Sequence, residues 1–305
     1  MKKKLLLLLT TIVFLFAVSC SSAPRKSSEV NTRKNRAADF MGFGNRYFAH
    51  GIYSQALVFF YMALDENIAA DFDYGKSRVK GSIGRTHLLM GNLSDAERYL
   101  LESYNLAKQL GDRALLASAA SKLAELYVFG NLLSEAEKFA SEAIALARTN
   151  SNTMAEALHI LAMIERRKGM SEKALTTIDR AIRINRRNRA HINLAANYYL
   201  MASIFSQQGN FNKATEMLHI AIREDRLIEN SYGIAQSYKA LGIVALRNNQ
   251  REEAYPFFIR ALNIFRVIEN VHEERSVLEF LIEISADLGS SNLDNFRARL
   301  RALEQ

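Results

Sequence analysis

The chain has 305 residues, of which 49% are hydrophobic and 24% charged, and this composition excludes a largely disordered protein. Only 14 Gly and 2 Pro are present, which argues against an all-β sandwich because that architecture needs many turns. Of the 40 Lys and Arg and the 32 Asp and Glu, eight and one respectively lie in residues 1–36. The remaining 32 basic and 31 acidic residues nearly cancel, so the net charge gives no case for a nucleic-acid partner.

The first predicted element is an export signal. Residues 2–4 are lysines, and residues 5–18 form an unbroken run of apolar residues and Thr. As a helix this run is about 21 Å long, short of the roughly 30 Å hydrocarbon core of a bilayer. It therefore favours a signal peptide over a membrane span, and we predict a signal peptide over residues 1–19.

A lipid anchor is predicted at the end of the apolar run. The sequence Ala17-Val18-Ser19-Cys20 resembles the lipobox of bacterial lipoproteins, in which the cysteine is acylated and becomes the new N-terminus. Cys20 is the sole cysteine, so the chain cannot form an intramolecular disulfide. The resemblance implies an exported protein that is lipid-anchored to a bacterial membrane and faces the periplasm. An ordinary signal peptide cleaved near Ser19 or Ser22 is the alternative.

Residues 20–36 are predicted to form a basic, flexible tether. They are mainly polar and contain Pro24 and five Lys or Arg. A flexible segment of this length reaches about 20 Å. Its basic side chains either rest on anionic lipid headgroups or only keep the linker soluble.

Small residues recur at a nearly constant interval through the rest of the chain. One set is spaced by 38 to 40 residues: Ala56, Ala96, Ala136, Ala174, Ala214 and Ala254. A second small residue follows each by seven positions: Ala63, Ser103, Ala143, Ala181, Ala221 and Ala261. A third precedes each by twelve: Gly44, Gly84, Ala124, Ala162, Ala202 and Gly242. A turn former precedes each by five: Gly51, Gly91, Asn131, Gly169, Gly209 and Asn249.

This spacing predicts a helix, a tight turn and a second helix in every unit. The small residues allow two helices to cross closely, and Gly or Asn accepts the left-handed backbone that ends the first helix. One such hairpin cannot bury its apolar face alone, so the units must stack on one another.

The first unit carries the residues of a known motif. Gly44-x2-Tyr47-x3-Gly51-x-Tyr53-x2-Ala56-x3-Phe60-x2-Ala63 resembles a nearly complete tetratricopeptide repeat (TPR), and five later units match it. The resemblance implies an all-α fold, a right-handed TPR-type α-solenoid of six hairpins of about 40 residues over residues 37–270. Residues 271–305 are predicted to add C-terminal capping helices. Pro256 is expected to kink or delay the second helix of the sixth unit.

In TPR proteins the first helix of each unit lines a concave groove. Carried over by position, the resemblance implies a partner-binding face in this chain. Its predicted residues are Met41, Asn45, Phe48, Arg85, Leu88, Glu125, His159, Met163, Arg166, Tyr199, Ser203, Lys239 and Ile243. This mixture of apolar and charged residues suits an extended peptide or a partner helix.

A second candidate surface is the basic stretch 165–190, with nine Lys or Arg against three acids. Arg180, Arg183 and Arg187 share one helix face and could bind an anionic group, an acidic partner or lipid headgroups. The alternative is an ordinary solvated convex face.

We found no catalytic motif and no histidine pair at metal-binding spacing, so we expect no enzyme activity, no cofactor and no metal. The sequence therefore predicts a lipid-anchored scaffold that binds a protein partner of the cell envelope. A periplasmic small-ligand receptor or a transporter helper subunit is the alternative.

Overall fold

The structure is a computed structural model that describes residues 29–303. Within this range it contains fourteen α-helices and no strand. They are α1 (Glu29–Ala49), α2 (Tyr53–Ala69), α3 (Asp73–Leu89), α4 (Leu93–Leu110), α5 (Arg113–Phe129), α6 (Leu133–Leu146), α7 (Asn152–Arg167), α8 (Ser171–Asn188), α9 (His191–Gln207), α10 (Phe211–Leu227), α11 (Ser231–Arg247), α12 (Arg251–Val267), α13 (Val271–Leu288) and α14 (Leu293–Ala302).

Consecutive helices pair into six hairpins, units 1 to 6, which run from α1 and α2 to α11 and α12. Each second helix then packs on the first helix of the next unit, which joins the units into one continuous stack. Helices α13 and α14 follow the sixth unit and pack against each other. The predicted all-α solenoid with capping helices is confirmed.

The recurring small residues lie where the two helices of a unit cross. All six alanines of the first set, from Ala56 to Ala254, have no exposed surface. A side-chain carbon added to Gly44 would lie 2.4 Å from the ring of Phe60, and one added to Gly242 would lie 2.6 Å from Phe258. No larger residue fits between these helices without displacing an aromatic ring.

The predicted turn formers take the left-handed backbone in all six units. Their φ angles are +73° at Gly51, +80° at Gly91, +58° at Asn131, +75° at Gly169, +76° at Gly209 and +59° at Asn249. Asparagine at two of these positions is consistent with its tolerance of this conformation. The sequence therefore located every turn within a unit.

The beginning of α1 differs from the predicted tether. The helix starts at Glu29, so residues 29–36 are helical. Arg36 forms an ion pair with Glu66 of α2 at 3.0 Å, and the ammonium of Lys34 lies 4.1 Å from the ring centre of Phe72. These contacts attach part of the expected tether to unit 1. The predicted signal peptide and Cys20 lie outside the described residues.

Pro256 does not delay the second helix of unit 6, because α12 begins at Arg251, five residues before it. Pro256 is the sixth residue of the helix, so it removes one hydrogen bond, the one to the Glu252 carbonyl, without ending the helix. None of the described helices is long and apolar enough to cross a membrane.

Asp225, near the end of α10, is a buried carboxyl whose pKa is raised to about 6, mainly by burial. Asn230 donates to it at 2.8 Å, which opposes this shift only partly. At the matching position units 1 and 4 carry Asn67 and Asn185. Asn67 donates to the carbonyl of Ala63, four residues earlier, at 2.7 Å, and an asparagine at 225 has the same bond available.

We expect Asp225→Asn to stabilise the protein at neutral and basic pH. Because the folded-state pKa lies above the unfolded value, wild-type stability falls as pH rises from about 4 through about 6. At pH 8 the free energy of unfolding of the variant should exceed that of wild type by about 1–3 kcal/mol. The difference should disappear near pH 4. Urea unfolding across this pH range measures the difference in stability. Glu216→Gln is the control, because Glu216 is an exposed carboxyl on the same helix.

Candidate partner-binding surface

The first helices of the units form the inner face of the stack. Besides its partner within the unit, each of α1, α3, α5, α7 and α9 contacts the first helix of the next unit. The second helices of neighbouring units do not pack on one another to this extent, so the stack curves with the first helices inside. We call the surface formed by the first helices the inner face.

The curvature brings the two ends of the stack into contact. The hydroxyl of Tyr53, at the start of α2, donates to that of Tyr232 of α11 at 3.5 Å. The side-chain amide of Asn270 donates to the carbonyl of Gly51 at 3.4 Å. The partners are 179 and 219 residues apart in sequence. The inner face therefore lines a channel that closes on itself between unit 1 and units 6 and 7, α13 and α14 being counted as unit 7.

A single methyl group tests this contact. A side-chain carbon on Gly51 would lie 2.7 Å from the Tyr232 ring, whereas one on Gly91 would meet nothing within 4 Å. Both glycines have positive φ, so alanine at either should cost about 1 kcal/mol of stability. We expect only Gly51→Ala to enlarge the radius of gyration in small-angle X-ray scattering. Equal radii for the two variants would show that the ends do not touch in solution.

An ion pair joins units 2 and 3 on the inner face. Arg85 donates to both oxygens of Glu125, at 2.8 and 3.2 Å, and its guanidinium lies 5.3 Å from the ring centre of Phe48. Glu125 is only 9% exposed, so its charge depends on this bidentate partner. Three predicted residues thus contact one another, and Arg85 and Glu125 are already paired.

The other predicted residues differ in how exposed they are and in whether they already have a partner. Leu88 is 2% exposed and fills the core between α3, α4 and α5, so its assignment to the partner-binding face is wrong. Met41 and Met163 are partly buried against neighbouring core residues, and Asn45 is exposed. Lys239 is held by Glu273 and by Ser276, both at 2.8 Å.

A polar pocket of about 110 Å³, here the central pocket, lies on the inner face of units 2 to 5. It contains the predicted residues Arg85, Glu125 and His159. Its other polar lining residues are Ser121, Lys122, Glu156, Asn185, Asn193 and Asn197. The stem of Lys122 lies against α3 at Gly81, where an added side-chain carbon would be 3.3 Å from its Cδ.

The central pocket contains polar atoms without partners. His159 Nδ1 lies 2.8 Å from the Asn197 side-chain oxygen, but the Asn197 amide nitrogen and the Asn185 side-chain oxygen bond to nothing in the described part of the chain. Both asparagines are 1% exposed. Because an unsatisfied buried polar atom costs about 1–3 kcal/mol, the pocket offers a donor and an acceptor to a bound group.

Charge in the central pocket is also only partly balanced. The ammonium of Lys122 donates to Ser118 at 2.6 Å and has no carboxylate within 4 Å among the described residues. Burial lowers the pKa of Lys122, and the nearby charge of Glu156 opposes that change. Burial also lowers the pKa of His159, which favours its neutral form. A ligand with a carboxylate or an amide would complement these groups.

A second pocket of about 130 Å³, here the apolar pocket, continues the inner face into units 5 and 6. It holds the predicted residues Tyr199, Ser203 and Ile243, with Arg247 beside them. Arg166 of unit 4 acts electrostatically on Tyr199, and its buried Nε has no hydrogen-bond partner in the described range. No carboxylate among the described residues pairs with Arg166, so its charge is available to a bound group.

Several lining residues were missed by the sequence analysis. Glu156 and Arg247 stand at the second and thirteenth positions of the TPR motif, in which His159 and Lys239 are fifth, and carrying over those two positions as well would have found them. Asn185 lies on the second helix α8, so no rule about first helices could identify it. Lys122 lies three residues before the predicted Glu125 and also lines the central pocket.

The predicted anionic-group residues Arg180, Arg183 and Arg187 are all exposed on α8, a second helix, and lie away from the inner face. Arg183 pairs with Asp179 at 2.6 Å. No cluster of three or more metal-binding side chains occurs among residues 29–303.

The model of one protein family, the MalT-like TPR region, matches residues 75–272. Among curated proteins, none matches the chain significantly. Many solved structures share its fold at low sequence identity.

Three of these structures illustrate the fold. BtubC (BKLC) from P. vanneervenii is 18% identical with a TM-score of 0.53, over 72% of this chain and 91% of that one. Aspartyl phosphate phosphatase F from Bacillus subtilis is 14% identical with a TM-score of 0.58, over 92% and 73%. A Rap protein complexed with Competence and Sporulation Factor is 14% identical with a TM-score of 0.58, over 91% and 98%.

Proposed function

Because the chain belongs to the family of MalT-like TPR regions, we propose that it is a binding scaffold that holds a segment of a partner protein along its inner face. The observation that carries this proposal is a set of polar atoms without a partner among the described residues: Asn185 Oδ1 and Asn197 Nδ2 in the central pocket, and Arg166 Nε. A bound segment would supply the missing hydrogen bonds and countercharge. The structural neighbour solved with a bound factor supports binding by this fold.

The two pockets favour an extended segment over a single small solute. The central pocket is polar and the apolar pocket is mainly hydrophobic, and the two follow each other along units 2 to 6. A peptide or helix that alternates polar and apolar side chains can fill both at once. The small-ligand receptor named as the alternative would instead need one enclosed cavity.

Two adjacent arginines provide a matched test of this binding. Within the described range Arg166 of the inner face has no carboxylate partner, whereas Arg167 is exposed on the same helix. We expect Arg166→Glu to reduce recovery of the partner from detergent-solubilised envelopes at least about tenfold, equivalent to the loss of about 1.4 kcal/mol. Arg167→Glu should recover as much as wild type. Equal recovery by both variants would exclude the inner face as the binding site.

We further propose that Cys20 anchors the scaffold to a membrane of the bacterial envelope through acyl chains. This proposal rests on the three lysines, the apolar run and the lipobox-like residues that end at Cys20. Cys20→Ser is expected to abolish incorporation of radiolabelled palmitate and to move the chain out of the membrane fraction. Unchanged labelling would contradict acylation at this residue.

A further inference from the structure

The outer face of units 4 to 6 carries arginines at repeating positions of the second helices. Positions are counted from the recurring alanine of each unit, the set from Ala56 to Ala254. The positions compared lie six, nine and twelve residues after that alanine. At six the residues are Met62, Glu102, Glu142, Arg180, Ile220 and Arg260; at nine they are Asp65, Asn105, Ala145, Arg183, Arg223 and Asn263; at twelve they are Ile68, Lys108, Arg148, Arg186, Arg226 and Arg266. Units 4 to 6 thus hold seven arginines and no acid, against two bases and three acids in units 1 to 3.

Helix-end electrostatics explains only one of these rows. Basic residues in the last turn of a helix stabilise its negative end, which accounts for the row at twelve in both halves of the chain. The rows at six and nine lie one to two turns earlier, and there acids and neutral residues change to arginines between unit 3 and unit 4. The additional positive charge of units 4 to 6 therefore needs another reason.

Most of these arginines lack a carboxylate partner. Arg183 pairs with Asp179 at 2.6 Å and Arg266 lies 3.7 Å from Glu274, while the other five have no acidic group within 4 Å among residues 32–303. Tyrosine hydroxyls orient three of the five: Arg186 donates to Tyr198 at 2.8 Å, and Arg226 and Arg260 donate to Tyr238 at 3.1 and 3.5 Å.

The arginines of units 5 and 6 form one cluster. Arg223, Arg226 and Arg260 all act electrostatically on the exposed imidazole of His219. Together with Arg180 and Arg186 of α8 they extend over the second helices of three successive units, α8, α10 and α12. Donors on three separate helices do not converge on a single phosphate, but they match a layer of separate anionic headgroups.

We propose that this arginine surface docks on an anionic phospholipid bilayer. Part of the case rests on the proposed anchor at Cys20, which would hold the scaffold next to a membrane. Docking would fix the orientation of the solenoid and leave the inner face free for the partner. Each arginine near such a surface should strengthen docking about fivefold, and added salt should weaken it.

Arginine footprinting of the full chain tests the proposal. The chain is mixed with vesicles of phosphatidylcholine alone or with 30% phosphatidylglycerol, treated with phenylglyoxal and analysed by mass spectrometry. We expect Arg180, Arg223 and Arg260 to lose reactivity only with the anionic vesicles and to regain it in 0.5 M NaCl. Arg98 and Arg113, exposed in units 2 and 3, are internal controls and should react equally with both.

A charge-matched pair of variants separates docking from general attraction. Replacing Arg180, Arg223 and Arg260 with Gln should weaken docking about 100-fold and remove protection of Arg186 and Arg226. Replacing Arg98, Lys108 and Lys138 with Gln should leave that protection unchanged. Flotation with neutral vesicles measures attachment through the Cys20 anchor separately. A failure of the anchor is therefore distinguishable from a failure of docking. Equal reactivity in both lipid mixtures, or protection only by added duplex DNA or polyglutamate, would overturn the proposal.

Discussion

Replacing Phe258 with alanine is expected to lower the free energy of unfolding by about 3–5 kcal/mol. The ring of Phe258 is fully buried and stacks on Phe280 of α13 with 4.8 Å between ring centres. Gly242 of α11 lies against its other side, so one side chain joins three successive helices. Its removal leaves a cavity that these helices cannot close without separating unit 6 from α13.

Denaturant unfolding monitored by circular dichroism measures this loss. Val267→Ala at the end of the same helix is the control, because Val267 is 83% exposed and its truncation should change stability by no more than about 0.5 kcal/mol. A loss below about 1 kcal/mol for Phe258→Ala would show that the ring does not join these helices in solution.

Removing the guanidinium of Arg299 is expected to cost about 3 kcal/mol. Glu274 of α13 is 2% exposed, and Arg299 of α14 donates to both of its oxygens at 2.7 and 3.0 Å. Arg266 is 3.7 Å away and cannot replace that geometry. Arg299→Met therefore leaves a buried carboxylate with little compensation, and α14 should lose its protection from amide hydrogen exchange.

Changing both partners tests the cause of this loss. The double variant Glu274→Gln with Arg299→Met removes the buried charge as well, so it should recover to within about 1 kcal/mol of wild type. Arg297→Met, which removes an exposed ion pair with Asp294 on the same helix, should cost no more than about 0.5 kcal/mol. A double variant as unstable as Arg299→Met alone would attribute the loss to packing and not to charge.

The architecture could be predicted from sequence because one structural rule repeats. Crossing positions admit only small side chains, as Gly44 and Gly242 show, and turn positions require the left-handed backbone, as Gly51 and Asn131 show. Six repetitions make each weak local preference unambiguous. The first helix was placed too late, since residues 29–36 are basic and polar, and the sequence does not reveal contacts such as those with Glu66 and Phe72.

The site was harder to predict because it depends on curvature and on pairing. A position rule finds residues such as Tyr199 that face the channel, but it does not show that Arg85 and Glu125 neutralise each other. It also does not reveal the contact between Gly51 and Asn270, which requires the whole stack to curve. Leu88 was misplaced because α4 and α5 bury it, and the sequence of α3 alone carries no signal of that packing.

The most direct measurement of the central claim is site-specific photo-crosslinking in bacterial cells that express the full chain. A photoreactive amino acid replaces Tyr199 on the inner face in one variant and His219 on the outer face in another. We expect the Tyr199 position to yield a discrete adduct with a protein partner and Arg166→Glu to abolish this adduct, while the His219 position yields no protein adduct. Adducts of equal yield from both positions, or from His219 alone, would contradict binding along the inner face.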